Sequence, residues 1–359
     1  MNNQKKSKAY NITLIPGDGI GPEVIQAARS VLEASRIRFN WDVQEAGLRI
    51  FKKTGKALPD SVINSIRKNK IVFKGPTITP TIKNYRSINV ALRNKFDTYA
   101  GIRPCKIYPG VQTRYQNINL VIIRENLEDL YAGIEFGEGE KDTEELINFI
   151  SKKQFIRSDS GISLKIISRF ESERIINFAF KYAKENSHHK ITIVHKANIL
   201  KHSDGLFLEI AQKIAHHHPE IEFENQLIDS LTAQLVQNPE KYDLLVCPNL
   251  YGDILSDLCA GLVGGLGMCP GVNLGDKYAI FEPVHGAAPQ YQGLNKVNPV
   301  AAILSGVMML RYLGELKAAD KIEKAVAQVI KEGKFVTCDI KKDSAVGTKE
   351  MAKAIVNKL

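Results

Sequence analysis

A four-residue apolar run, Leu244–Cys247, passes across Pro248 into Asn249-Leu250-Tyr251-Gly252-Asp253-Ile254-Leu255-Ser256-Asp257-Leu258. A short unbroken apolar run of this kind reads as a buried strand, and the segment after it has helical spacing. The expectation is a strand that feeds a helix starting near Tyr251. On such a helix Asp253 and Asp257, four apart, project from one face, where like charges repel. A solvated face is the plain alternative, but the neighbours Leu255, Leu258, Cys259 and Ala260 are apolar or small. A hard divalent cation held by both carboxylates accounts better for the pair.

The same strand-then-helix alternation recurs along the chain. Asn11–Ile15 reads as a strand, and Pro16-Gly17-Asp18-Gly19-Ile20-Gly21-Pro22-Glu23 opens a helix to about Ser35. The glycines permit a tight turn and Pro22 suits a first helical turn. The spacing is not that of a dinucleotide-binding fingerprint. Strands are expected over 39–45, 71–74, 98–104, 120–124, 191–194, 222–228 and 278–284. Helices are expected over 60–68, 89–95, 170–185, 206–215, 300–313, 321–332 and 349–358. The region 138–159 reads as an excursion of hairpin strands, and 77–87 as a loop offering Thr79, Lys83 and Ser87.

Charged residues stand at the ends of these elements. Arg93, Arg103 and Arg124 each read, singly, as a surface or ion-pair residue. Together they suggest a substrate rich in carboxylates, which planar guanidinium forks bind bidentately. Lys196 directly follows a buried strand, where desolvation lowers an ammonium pKa. Asp229 and Asp253 follow successive strands, and ligands gather at strand carboxyl ends in open parallel sheets.

Composition narrows the class. The chain has 359 residues, 44% of them hydrophobic and 25% charged, ordinary for a soluble protein of one large or two smaller α/β units. The formal net charge of +10 raises anionic partners. Its lysines are scattered without a basic block, which argues against nucleic acid, and no apolar run reaches membrane-spanning length. Met1–Lys8 reads as a polar, disordered tail without a secretory core. Five cysteines without a CxxC spacing suit a reducing setting, cytoplasmic or matrix-like. His216-His217-His218 reads as exposed surface.

Taken together, LIPGDGIGPE (14–23), RSINVALR (86–93), RENLEDLYAGIE (124–135), VHKANIL (194–200), NLYGDILSDL (249–258) and the loop His285-Gly286-Ala287-Ala288-Pro289 are a specific combination. The chain resembles the isocitrate/isopropylmalate dehydrogenase family of β-decarboxylating dehydrogenases, most like its NAD-dependent isocitrate dehydrogenases, from Ile12 to about Val356. The resemblance implies an α/β fold that is not a Rossmann fold, with two domains around a shared sheet and an active-site cleft. It places a large domain at 1–98 and 264–359, a small domain at 99–263, and a dimer clasp at 133–163.

The resemblance also implies roles. Asp253 and Asp257, with Asp229 of the partner subunit, would bind Mg²⁺ or Mn²⁺. Ser87, Asn89, Arg93, Arg103 and Arg124 would hold a tricarboxylate. Polar Ser87 and Asn89 suit a third carboxylate, where an isopropyl group needs an apolar pocket. Lys196 would act as base across a homodimer interface, and Tyr131 as acid. Thr79, Asn126, Glu282, His285, Gly286, Ala287, Ala288, Gln290, Tyr291, Asn298 and Asp339 would line the cofactor site. Gln290 stands where NAD-preferring members have Asp. Tyr291 is NADP-like, and Cys338 and Lys342 replace Tyr and Arg of the NADP type. Lys342 alone offers a cation to a 2′-phosphate, so the balance favours NAD. Leu127, Ala287 and Leu294 depart from the usual pattern, and 81–86 lacks the glycines of the phosphorylation-regulated bacterial enzyme.

Overall fold

The computed structural model describes residues 9–81, 85 and 87–359. The N-terminal tail and Lys83 lie outside the described residues. In chain order the elements are β1 (Ala9–Ile15), α1 (Gly21–Ala34), β2 (Arg38–Val43), α2 (Leu48–Thr54), α3 (Asp60–Asn69), β3 (Ile71–Lys74), α4 (Ile88–Phe96), β4 (Ala100–Lys106) and β5 (Asn119–Glu125). Then come β6 (Glu135–Phe136), α5 (Lys141–Ile150), β7 (Ile162–Ser163), α6 (Arg169–Glu185), β8 (Lys190–His195), α7 (Asp204–Ala215), β9 (Glu222–Leu227) and α8 (Ile228–Gln237). The chain closes with β10 (Leu244–Cys247), α9 (Asn249–Leu262), β11 (Pro270–Leu274), β12 (Ala279–Pro283), α10 (Val300–Tyr312), α11 (Leu316–Glu332) and α12 (Thr348–Val356).

Ten strands form one sheet in the order β2-β1-β3-β12-β11-β4-β5-β10-β8-β9. Strands from 9–98 and 264–359 occupy one half, and strands from 99–263 the other. The flanks are parallel, but β12–β11, β11–β4 and β4–β5 are antiparallel. Strand direction therefore reverses between the halves, so the site does not sit along one rim of parallel carboxyl ends, as expected from sequence. It sits on a sheet face at the central antiparallel strands.

Both faces are covered, which is why β10 (LLVC) is apolar throughout. Along β10, Leu244 and Val246 join a core with α1, α6, α10 and α11, while Leu245 and Cys247 join another with α8 and α9. The period of two sends alternate side chains to opposite layers. The apolar α10 lies in the core, where Gly306 admits Leu32 of α1: a Cβ there would be 2.8 Å from Leu32 Cδ1.

Several expectations are corrected. Residues 141–150 form α5, not hairpin strands, because Thr143 and Ile147 recur at helical spacing and are buried together. The strands of this excursion are only the short β6–β7 pair flanking it. Arg103 lies inside β4 and does not end it, whereas Asp229 does follow β9, in the first turn of α8. The helix carrying Asp253 starts at Asn249.

Candidate active site

Register explains how the polar groups meet. Arg124 pairs with Gly101, Gly101 with Asn273, and Gly271 with Glu282 across β5, β4, β11 and β12. With a period of two, Arg103, Arg124, Asn273 and Glu282 all share one face. Glycines at 101 and 271 clear the space between them. A Cβ on Gly271 would lie 2.7 Å from Arg103 Nη1.

Over this face lies a cavity of about 160 Å³ lined by Asn89, Arg93, Arg103, Arg124, Asp253, Asp257, Glu282, His285 and Gly286, with Thr77 and Ser256. The three arginines are buried, at 6%, 3% and 2% exposure. Arg124 donates through Nε and Nη2 to Asn249 Oδ1 at 3.0 and 2.7 Å and pairs through Nη1 with Asp253. Arg103 donates to the Val272 carbonyl at 3.0 Å and to Asn273 Oδ1 at 2.8 Å. Glu282 is held by Lys74 at 2.7 Å, accepts from Asn273 Nδ2 at 2.7 Å, and stands 3.9 Å from Arg93.

The electrostatics favour a polyanion. Burial, followed by the Arg124 charge, brings Arg93 down to about 9; burial brings Arg103 down to about 10, and both remain cationic at neutral pH. Burial would raise Glu282, but Lys74, then Arg93 and Arg103, hold it at about 2. Burial works upward on Asp253 too, and Arg124 with Tyr131 overcomes it to hold the carboxyl below its ordinary value. Asp257 is raised by desolvation and then by Asp253. Arg93 Nε and His285 Nε2 are buried without a hydrogen-bond partner. Four cations and three acids, with an unspent donor at Arg93 Nε, suit a bound anion.

Tyr131 donates to Asp253 Oδ2 at 2.5 Å, and the Arg124 guanidinium lies 4.8 Å from its ring centroid. Burial, then Asp253, raises its hydroxyl above the ordinary value. Lys196 and Asp229 do not line the cavity. They pair with each other, Nζ to Oδ1 at 2.5 Å, with side chains 25% and 63% exposed. Among the described residues no group of three or more His, Cys, Asp or Glu side chains could hold a metal ion. Asp253 and Asp257 supply two hard oxygen donors to one cavity.

The expected cofactor residues divide. Glu282, His285 and Gly286 line the cavity. Ala287 anchors the glycine turn, since its carbonyl accepts from Ile20 N at 2.8 Å, and Ala288 has φ 35°. Asn298 donates to Asp339 at 2.9 Å, while Thr79, Gln290 and Tyr291 are exposed. Asn126 is committed to the Thr98 carbonyl at 3.0 Å and Asn273 at 3.1 Å. Ser87 precedes α4 outside the cavity lining. Sequence reading missed Lys74, Asn249 and Asn273. Lys74 was detectable as a charge ending a buried strand; the two asparagines carried no signal.

The family model for isocitrate/isopropylmalate dehydrogenase matches residues 11–355. The chain belongs to this family. It is 43% identical over 354 residues, 98% of the chain and 89% of the relative, to a protein of Arabidopsis thaliana named as catalytic subunit 6 of mitochondrial NAD isocitrate dehydrogenase. It is 44% identical over 358 residues, 98% of the chain and 94% of the relative, to a protein of Dictyostelium discoideum named as a regulatory subunit of mitochondrial NAD isocitrate dehydrogenase. Proteins named as NADP isocitrate dehydrogenase and 3-isopropylmalate dehydrogenase also match. The crystal structure of isocitrate dehydrogenase from Methylococcus capsulatus superposes with a TM-score of 0.91 at 47% identity, covering 97% of this chain and 99% of that one. The isocitrate/isopropylmalate dehydrogenase fold expected from sequence is the fold observed.

Proposed function

We propose that this family member oxidatively decarboxylates isocitrate to 2-oxoglutarate and CO₂ while reducing NAD, using Mg²⁺ or Mn²⁺. The observation that carries the reading is the burial of Arg93, Arg103 and Arg124 around one cavity that also presents Asp253 and Asp257. Three guanidinium groups match a tricarboxylate, and Asn89 on the wall supplies a polar contact where 3-isopropylmalate needs an apolar one.

The arginines bind and orient the carboxylates. Lys196 of a second copy would accept the 2-hydroxyl proton, and bound NAD would supply the hydride acceptor for the same carbon. The β-keto acid then loses CO₂, and Tyr131 delivers a proton to the carbon left behind. Asp253 and Asp257, with the partner subunit's Asp229, would hold a divalent cation, which would supply charge stabilisation at the 2-oxygen. NAD would be held by the loop from His285 to Tyr291 and by Asn298 and Asp339. The separation of the Lys196–Asp229 pair from the cavity supports a homodimer with shared sites. Exposed Phe149, Phe155, Ile199 and Ile254, between 51% and 78% exposed, support a surface covered by another copy. The free cysteines suit a cytoplasmic setting.

Two alternatives have specific support. Tyr291 and Lys342 favour NADP, and Leu127, with the name of the Dictyostelium relative, favours a regulatory role. Retention of Tyr131, Lys196, Asp229, Asp253 and Asp257 together supports catalysis. The test is kcat/KM for isocitrate, 3-isopropylmalate, homoisocitrate and tartrate with each nucleotide. Isocitrate with NAD is expected to lead the panel; another leading pair would reassign the substrate or nucleotide, and no turnover with any would favour the regulatory role.

A further inference from the structure

We propose that Lys165, gripped between Asp129 and Asp204, is a positioning residue that locks the Lys196 segment to the Tyr131 turn and α9. The inference rests on the shared-site reading above and deepens it: those two groups of residues would serve different active sites of a dimer.

Asp129 is fully buried in a non-glycine left-handed conformation, φ 65°, two residues before Tyr131. That conformation is costly for a residue with a side chain and persists where its surroundings hold it. Its Oδ2 accepts from Leu250 N at 2.8 Å in the first turn of α9, the helix that carries Asp253 and Asp257. Its N–H donates to the Ile166 carbonyl at 2.9 Å, tying the turn to the segment that carries Lys165. Lys165 Nζ stands 3.4 Å from Asp129 Oδ1 and 2.9 Å from Asp204 Oδ1, and 4.2 Å from the Tyr251 ring centroid. Asp204, also fully buried, accepts through Oδ2 from the Lys196 backbone N–H at 2.7 Å and from the Tyr251 hydroxyl at 3.1 Å. One ammonium thus bridges two buried carboxylates, and each carboxylate grips the backbone of a different catalytic segment. Without the cation the two acids repel across the gap and both segments lose their shared anchor.

The test uses hybrid dimers. A Lys196→Ala chain keeps its own Tyr131 and Asp253, an Asp253→Asn chain keeps its Lys196, and together they rebuild one site. Lys165→Met is then placed in either parent and in the otherwise unaltered homodimer. The expected result is a kcat lower by about 10-fold or more in all three, since small misplacements of catalytic groups cost up to about 100-fold. KM for isocitrate should stay within about twofold, because the arginines are untouched, and Lys165→Arg should recover most of the rate. If Lys165→Met does not fold, Tyr251→Phe, which removes only a donor to Asp204, is read in the same assays for a smaller kcat loss at unchanged KM. Unchanged kcat, a loss confined to KM, or failure of the Arg variant to recover the rate overturns the brace. Hybrids inactive without any change at Lys165 overturn the shared-site reading instead, and the homodimer kcat then judges the brace alone.

Discussion

Gly252 of α9 lies against the Arg124 side chain so closely that an added Cβ would sit 2.6 Å from Arg124 Cγ and 2.8 Å from its Cβ. The contact is with the root of the side chain, which cannot swing aside without moving the guanidinium. Glycine here is a condition of the site's geometry, since it lets the fork reach Asn249 and Asp253 together. Gly252→Ala is therefore expected to raise KM for isocitrate about 10-fold or more through displacement of Arg124. Steady-state kinetics beside a thermal melt check that the loss exceeds any change in stability.

The Lys74–Glu282 pair is buried on both sides, at 1% and 6% side-chain exposure. Glu282 is held at about 2, below the ordinary 4.5, so the folded state binds its proton less readily than the unfolded state. Its contribution is present in full above about pH 4.5 and is lost as pH falls toward 2, on the order of 3 kcal/mol in total. Lys74→Met leaves the carboxylate buried against fewer cations and is expected to cost about 3–5 kcal/mol at neutral pH. Denaturant unfolding from pH 7 downward measures both, and the variant should lose less stability than the parent over the acid range.

Tyr131→Phe removes the hydroxyl that donates to Asp253 while keeping the ring against Arg124. If Tyr131 supplies the proton after CO₂ leaves, kcat should fall about 100-fold or more with KM little changed. A rate within a few-fold of the parent would assign that proton to another donor.

Gln290 and Tyr291 are exposed just beyond the His285–Pro289 loop, where a substitution disturbs little packing. Gln290→Asp is expected to shift the kcat/KM ratio toward NAD by about 10-fold, since a carboxylate accepts from a ribose diol and repels a 2′-phosphate. The ratio of NADH to NADPH rates at limiting nucleotide reads this directly.

The alternating strands and helices were legible because fully buried strands such as Leu244–Cys247 are apolar without interruption, and the charges that follow them stand out. Arg93, Arg103, Arg124, Asp253 and Asp257 were named from sequence and share one cavity. What was not legible depends on distant partners. The N-terminus of α2 is capped from afar by Asp18, which accepts from Leu48 N at 3.0 Å, so no local cap announced that helix. Strand β11 begins with Pro270 and Gly271, residues that discourage a strand until the glycine is seen making room for Arg103. The reversal of strand direction at the centre of the sheet arises from pairing order, which local pattern does not contain.

The most direct test is the initial rate of NADH formation by the purified chain with isocitrate and Mn²⁺, repeated after EDTA and after Mn²⁺ is restored, with 2-oxoglutarate measured in the product. A substantial rate that EDTA abolishes and Mn²⁺ returns, with one 2-oxoglutarate per NADH, is the predicted result. A rate indifferent to EDTA, or no 2-oxoglutarate from folded protein, would contradict it.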